Sequence, residues 1–449
     1  MARTSRRTAA AGAQTGTGEP RTGDPGMRAL RRTRSIRPTW RAFTALLVGV
    51  LSIFLAYGLG RREYLVAACL AFLLPVLGLL FVRLRRPKLE VSRLFSPPVV
   101  AVGGVVQVTL RISNAGASPS TPLIWDDALP WFERSAATRE LPSIAVGRVR
   151  PRSVGYDLHP PRRGLYAIGP LVAEHEDPFG FATSTVAIGA PERLVVVPAV
   201  SSLNEGGPSL ADGEGEAHLV QRRVMGADDD LTTREYRIGD ALRRVHWRAS
   251  AKHGQLMVRQ EEHRSHPDAR ILVDTRRRGY PDAESDTGMS WSADWSSDAF
   301  EWVVRMTASL GLHLEQAGFR VAIEETARPQ IEAIGDRWEG RRAEGFLTSL
   351  AGVQLLDRTV DELAALSPAE GSGPVFAILG DPEDATVDWL VKRRTNGEAG
   401  YAFLVHPRPA VVERLRDAGW TVVSAGDDDD PGDAWRAAAN ETGYAYGAR

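Results

Sequence analysis

Residues Ala269–Thr275 read ARILVDT, and Arg276–Arg278 continue as RRR. A short apolar run that ends on a carboxylate has the look of a strand buried on both faces and emerging at the carboxyl edge of a sheet. The chain beyond it alternates in the same sense. DAFEWVVRMTASLGLHLEQAG, Asp298–Gly318, places Phe300, Val303, Val304, Ala308, Leu310 and Leu314 at mostly helical spacings, and FRVAIEE returns to strand. GPVFAILGD, YAFLVHP and WTVVSAGD are further strands, with helices TVDWLVKRR and AVVERLRDAG between them. Strands alternating with helices predict an α/β doubly wound, mostly parallel sheet over residues 269–440. The polar, Trp-rich stretch Arg276–Ser297 is expected to be a surface loop, and the acidic run Gly426–Asp433 a solvated one.

Upstream the period changes from helical to two. VQVTLRISN sets Val106, Val108, Leu110 and Ile112 on one face against Gln107, Thr109, Arg111 and Ser113. SVGYDLH and ERLVVVPAV repeat the pattern, with Gly103-Gly104, Asn114–Gly116 and Pro160-Pro161 as turn signals. Residues 88–200 therefore read as an antiparallel β-sandwich.

Two apolar runs precede it, Ala42–Leu59 and Tyr64–Val82, each close to the roughly 20 residues a helix needs to cross the hydrocarbon core. Neither has a polar face, and no small-residue cleavage site separates them, so residues 42–82 read as a transmembrane α-hairpin rather than a signal peptide. Arg31–Arg41 and Arg83, Arg85, Arg86 and Lys88 flank its outer ends, against Arg61 and Arg62 in the turn. That bias predicts a two-pass protein of the plasma (inner) membrane with both termini cytoplasmic. Residues 1–41 are rich in Arg, Thr, Ala and Gly and read as a disordered basic cytoplasmic tail.

Charge excludes one class of partner and cysteine another class of chemistry. With 55 Lys plus Arg against 56 Asp plus Glu there is no nucleic-acid signature. The single cysteine, Cys69, lies inside an apolar run, which rules out an internal disulfide and disfavours a thiol nucleophile or a Cys-based zinc site. The chain lacks GxxxxGK[ST], HExxH and GxSxG, so no catalytic residue, enzymatic activity or cofactor is expected.

Between the two folded regions, residues 201–268 read as a flexible linker followed by REYRIGDALRRVHWRAS, Arg234–Ser250. Asp240 is positioned to start a helix and Gly254 to end it, giving three to four turns. On that helix Leu242, Val245, His246 and Ala249 share a packing face, while Arg244, Arg248 and Lys252 form a ridge flanked by Arg243 and Trp247. The ridge reads as a solvated face paired with Asp228, Asp229, Asp230, Glu261 and Glu262, as an anion- or protein-docking surface with Trp247 as its planar anchor, or, least of the three, as a nucleic-acid surface, for which one short ridge lacks a tracking groove. Arg234, Tyr236, Asp240, Arg243, Arg244, Trp247, Arg248 and Lys252 are its candidate binding residues.

The segment resembles the signature of the family called domain of unknown function 58. Arg234, Tyr236, Gly239, Asp240, Arg243, Val245, Trp247, Leu256, Val258, Arg259 and Glu262 match its motifs, as do Arg163-Gly164 and the Asp-Pro-Phe-Gly run Asp177–Gly180. The resemblance implies a membrane-anchored protein whose α/β part is a degenerate von Willebrand factor type A-like domain. It also implies action beside a MoxR-type AAA+ ATPase and a transglutaminase-like membrane protein, as an adaptor or scaffold in an envelope-related process. An intact type A domain binds a divalent cation through Asp-x-Ser-x-Ser. Here DTRRR keeps Asp274 but puts Arg276 and Arg278 at the two Ser positions, so that metal site is expected to be absent. Asp274, Asp381 and Asp427, at carboxyl ends of strands, remain the alternative set for a metal-dependent hydrolase or an anionic-ligand sensor.

Overall fold

The computed structural model describes residues 35–85, 87–131, 139–203, 207–208, 233–236, 245, 247–259, 267–285, 295–332, 342–357, 373–394 and 398–447. The chain divides into two compact units. One is drawn from the chain up to Arg93, Thr109–Val154 and Ile168–Glu192; the other from Leu94–Val108, Gly155–Ala167 and the chain from Arg193 on.

In the first unit, strand β1 (Ser35–Pro38) leads into helix α1 (Trp40–Leu59), and α2 (Glu63–Leu84) returns beside it. Both helices are long and apolar enough to cross a membrane. They approach closely where Gly49 meets Phe72: a Cβ at Gly49 would lie 2.9 Å from that ring. Their outer faces carry exposed Leu47, Leu51, Phe54, Val66 and Leu70. The next strands are β2 (Leu89–Ser96), β3 (Val99–Ala101), β4 (Val106–Asn114), β5 (Leu123–Asp127), β6 (Arg139–Leu141), β7 (Gly147–Leu158), β8 (Gly164–Ile168), β9 (Leu171–Glu176), β10 (Ala182–Ile188) and β11 (Glu192–Val197).

Antiparallel pairing gives a five-stranded sheet ordered β1-β10-β9-β5-β6. Smaller sheets run β2-β4-β7 and β3-β11-β8, with β3 and β11 parallel. The alternation expected of β4 is present, since Val106, Val108, Leu110 and Ile112 are fully buried. One expectation is corrected: Ser35–Arg41 are not a disordered tail. Ser35 pairs with Thr185 and Pro38 with Ala182, so the backbone of a segment with no core of its own is ordered by an existing strand. Residues 1–34 lie outside the described residues.

The second unit holds the parallel sheet. Two short strands, β12 (Thr233–Glu235) and β13 (Met257–Arg259), flank helix α3 (Trp247–His253). Next come β14 (Asp268–Val273), the two-residue pair β15 (Glu284–Ser285) and β16 (Trp295–Ser296), α4 (Asp298–Gln316), β17 (Arg320–Glu325) and α5 (Arg342–Gly352). The chain closes with β18 (Val375–Leu379), α6 (Asp384–Arg393), β19 (Gly400–Val405), α7 (Pro409–Asp417), β20 (Thr421–Ala425) and α8 (Pro431–Gly447).

Sheet order is β17-β14-β18-β19-β20 and every pairing is parallel. Successive residues of each strand point to opposite faces, and both faces are covered. Ile271, Val273, Phe376, Ile378, Phe403 and Val405 join α4, α5 and α8 in one core through Val303, Phe346 and Trp435. Leu272, Ala377, Leu379 and Leu404 join α6 and α7 in the other through Val387, Leu390 and Leu415.

Two loop expectations change and a third gains detail. Arg276 and Tyr280 are buried, so the stretch after β14 begins as part of the core, with a single 3-10 turn at Arg277–Gly279. Ser201–Leu203 belong to the α/β packing: Ser309 Oγ accepts from Ser201 N at 2.9 Å and Leu203 is buried. The acidic run keeps Asp428, Asp429, Asp430 and Asp433 exposed, as expected of a solvated loop, but its backbone is tied to the fold. Asp430 Oδ1 accepts from Gly432 N at the start of α8, and the carbonyls of Asp429 and Asp427 accept from Trp302 and Arg305 of α4, each at 2.8 Å. Backbone groups that must be satisfied inside the fold, not side-chain polarity, decide these placements.

Candidate functional site: the signature segment and the strand-end crevice

Strand β12 pairs antiparallel with β13, Arg234 opposite Val258, and Tyr236 N donates to Leu256 O at 2.8 Å. Val258 also bridges Val245, whose side chain is buried. A residue held in that bridge is extended, so Val245 is not on the helix as expected. The helix starts at Trp247 and spans seven residues, ending where Gly254 N donates to Ser250 O and Gly254 adopts φ 73°. Of the expected ridge, Arg248 and Lys252 lie on this helix. Asp240, Arg243, Arg244 and His246 lie outside the described residues, as does the side chain of Arg234.

Trp247 is 70% exposed. Arg248 and Lys252, one turn apart on the same helix face, are exposed too. Neither makes an ion pair among the described residues, although like charges at that spacing repel. Tyr236 is half-buried. The segment therefore carries a two-turn helix that presents an indole and two cations to the outside, stitched down by a three-way strand contact.

The strand order reverses beside β14, between β17 and β18, and there a doubly wound sheet opens a crevice beyond its strand ends. In this chain the crevice is filled from within. Asp274 is fully buried; its Oδ1 accepts from Arg276 N at 3.1 Å, from Arg276 Nε at 3.3 Å and from Thr326 Oγ1. Arg276 is itself buried and reaches on to Thr386 Oγ1 at the start of α6. Tyr280 donates its hydroxyl to Asp274 O at 2.6 Å; burial first, and the Asp274 charge second, push that phenol well above its ordinary pKa. Gly279 lets the turn lie against the carboxylate, where a Cβ would come within 2.5 Å of Oδ2, and its carbonyl accepts from Asp381 N at 2.8 Å. Glu325, at the end of β17, has its pKa raised by burial against the opposing pull of the Gln330 and Ile331 amides.

Asp274, Asp381 and Asp427 are each engaged by a different cationic or imidazole group. Asp381 holds Arg408 at 3.0 Å, which raises the Arg408 pKa, and Asp427 is paired at 3.2 Å with His406, whose hydrogen bond lowers the Asp427 pKa. Among the described residues no three His, Cys, Asp or Glu side chains form a group able to hold a metal ion. The donor set does not fit a divalent cation: the guanidinium of Arg276 sits where the oxygen ligands would have to converge on Asp274.

Sequence reasoning noted Arg163 in a motif but gave it no role. Its guanidinium donates to Leu350 O at 3.0 Å and Val353 O at 2.9 Å, pairs with Glu301 and lies 5.2 Å from the Phe300 ring centre. The Arg-Gly motif is thus a strut closing the end of α5 against α4. Its neighbouring motif, Asp177–Gly180, is a self-capped turn: Asp177 accepts from Phe179 N at 3.0 Å and from Ala182 N at 2.5 Å.

Residues 232–332 match the family model described as "Protein of unknown function DUF58". That match, over the segment that holds β12 to β17, supports the family resemblance. No curated protein matches the sequence. Among solved structures it overlaps a CARDB domain from Pyrococcus furiosus, described in complex with di-metal ions, at 15% identity over 23% of this chain and 88% of that one, with a TM-score of 0.16. An alkylpurine DNA glycosylase from Pseudomonas fluorescens overlaps at 11% identity over 28% and 39% (TM-score 0.15). A cycloisomaltooligosaccharide glucanotransferase from Paenibacillus sp. does so at 12% over 70% and 53% (TM-score 0.18). Likeness this slight carries no argument about fold or function.

Proposed function

We propose that the chain is a membrane-tethered, non-enzymatic scaffold that docks a partner protein through α3. The single observation that carries this reading is the exposure of Trp247 beside Arg248 and Lys252 on a short, anchored helix. Trp and Arg are the residue types that dominate interface energetics, and an indole left in water gains its burial free energy only when a partner covers it. The α/β unit, with its crevice closed by Arg276, is read as a degenerate von Willebrand factor type A-like domain that supports this surface instead of coordinating a cation. The partner that the family resemblance brings forward is a MoxR-type AAA+ ATPase, and α1 and α2 would hold the scaffold at the bilayer with both chain ends in the cytoplasm.

The test is co-purification of the full chain with the purified ATPase in detergent, comparing the wild type with the double variant Trp247→Ala, Arg248→Glu after both are shown to melt alike. Removing a central aromatic and reversing its neighbour is expected to weaken the complex at least 30-fold, about 2 kcal/mol or more. Equal binding by the two chains overturns docking through α3.

A further inference from the structure

The Asp177–Gly180 turn is not absorbed by the docking surface, and its neighbours are the apolar helices. A Cβ on Gly78 of α2 would lie 3.0 Å from Asp177 Oδ2 and 3.2 Å from Phe181 Cβ, so the turn rests directly on α2. Thr39, at the start of α1, clasps it from the other side: Thr39 N donates to Phe181 O at 2.9 Å and its Oγ1 to Gly180 O at 2.5 Å. The level of the turn is set by the register of the helices. Gly49 faces Phe72, and α1 and α2 are antiparallel; Gly78, six residues beyond Phe72, is level with Phe43, six residues before Gly49. Trp40, 77% exposed at the end of α1, is then nearer the helix end by three residues, about 4.5 Å.

An indole at a helix end marks the membrane–water boundary, so a turn that is bonded to Thr39 and rests on Gly78 straddles that boundary. The turn is chemically suited to that position. The carboxylate of Asp177 is buried and satisfied by two amides of its own turn; Gly180 N donates to Asp177 O, Pro178 has no amide to satisfy, and Thr39 covers two carbonyls. Outward the turn presents Phe179, 55% exposed, with Phe181 6.2 Å away ring to ring.

We propose that the Asp177–Phe181 turn is inserted into the headgroup–acyl boundary of the bilayer, with Phe179 as its lipid contact. It is a third membrane element, which fixes the β-sheet of the first unit at the surface instead of leaving it on a hinge after Leu84. The proposal rests on the reading that α1 and α2 span the bilayer.

The experiment uses the full chain with Cys69→Ser, reconstituted in phosphatidylcholine–phosphatidylglycerol vesicles and carrying one spin label at Phe179→Cys, at Leu51→Cys on the outer face of α1, or at Gln107→Cys on an exposed strand face. Collision with oxygen and with a water-soluble nickel chelate is read at each site. The expected result is a Leu51 label deep in the acyl region and a Phe179 label that prefers oxygen, with chelate accessibility several-fold below that at Gln107. A buried Leu51 label with a chelate-accessible Phe179 label overturns the inserted turn and leaves the anchor standing; a chelate-accessible Leu51 label overturns the anchor and the insertion together. Pro178→Cys, also exposed, gives the same readout if Phe179→Cys alters melting.

Discussion

At position 276 the fold commits a fully buried guanidinium to one carboxylate. Arg276 Nε lies 3.3 Å from Asp274 Oδ1, and both side chains are at most 2% exposed. Desolvating two charges is unfavourable, and Thr326, Thr386 and the Arg276 amide offset part of that cost with hydrogen bonds, while Asp274 Oδ2 and Arg276 Nη1 are left without one among the described residues. Removing one partner strands the other: Arg276→Ala is expected to destabilise the α/β unit by about 3–5 kcal/mol, because Asp274 would then be an uncompensated buried charge. Thermal melting of the solubilised chain checks it, with a fall on the order of 10 °C expected. The paired change Asp274→Leu, Arg276→Met should recover most of that loss, and failure to recover would mean the site needs its charges for more than mutual neutralisation. The sequence showed Arg276 two residues after Asp274, where the family resemblance implies a Ser. It did not show that the guanidinium folds back into the carboxylate, because side-chain direction at a strand end depends on which turn comes after it.

Helices of this chain take their ends from local chemistry and their lengths from tertiary pairing. Helix α4 starts where Ser297 Oγ accepts from Phe300 N at 2.9 Å, and Asp282 in turn receives the Ser297 hydroxyl at 2.9 Å. Ser297→Ala removes that cap and is expected to cost about 1 kcal/mol, or roughly 2–4 °C in the melting of the unit. A shift within error would show that Asp282, which also accepts from Ala299 N, caps α4 alone. Helix α3 illustrates the opposite limit. Its C-terminal glycine was readable from the sequence, but its start was not, since the bridge from Val245 to Val258 claims a residue whose spacing fits a helical face. Helices α5 and α8 also went unpredicted. The apolar spacing Phe346 to Leu350 and the cap at Asp430 were present, yet the first is short and the second hides inside an acidic run.

At the scale of the molecule, two apolar helices with arginines at their outer ends set a topology that can be tested directly. Alkaline phosphatase fused after Gly447 should be inactive and the same enzyme inserted at Gly60 active, since the first would stay in the cytoplasm and the second be exported. Activity at both places would overturn the cytoplasmic placement of the C-terminal end. Periodicity alone was enough to place the two apolar helices, the strands at VQVTLRISN, SVGYDLH and ERLVVVPAV and the parallel sheet of the second half, because burial on one face, both faces or all round leaves distinct apolar patterns in a linear chain. Only the tertiary structure decided that β1 is ordered, that Arg163 closes α5, that the crevice at Asp274 is filled by Arg276, and that Asp177–Gly180 leans on Gly78. Apart from the Asp274–Arg276 contact itself, which closes over two residues, these depend on groups meeting residues tens to nearly two hundred positions away, and no local pattern records a partner that distance along the chain conceals.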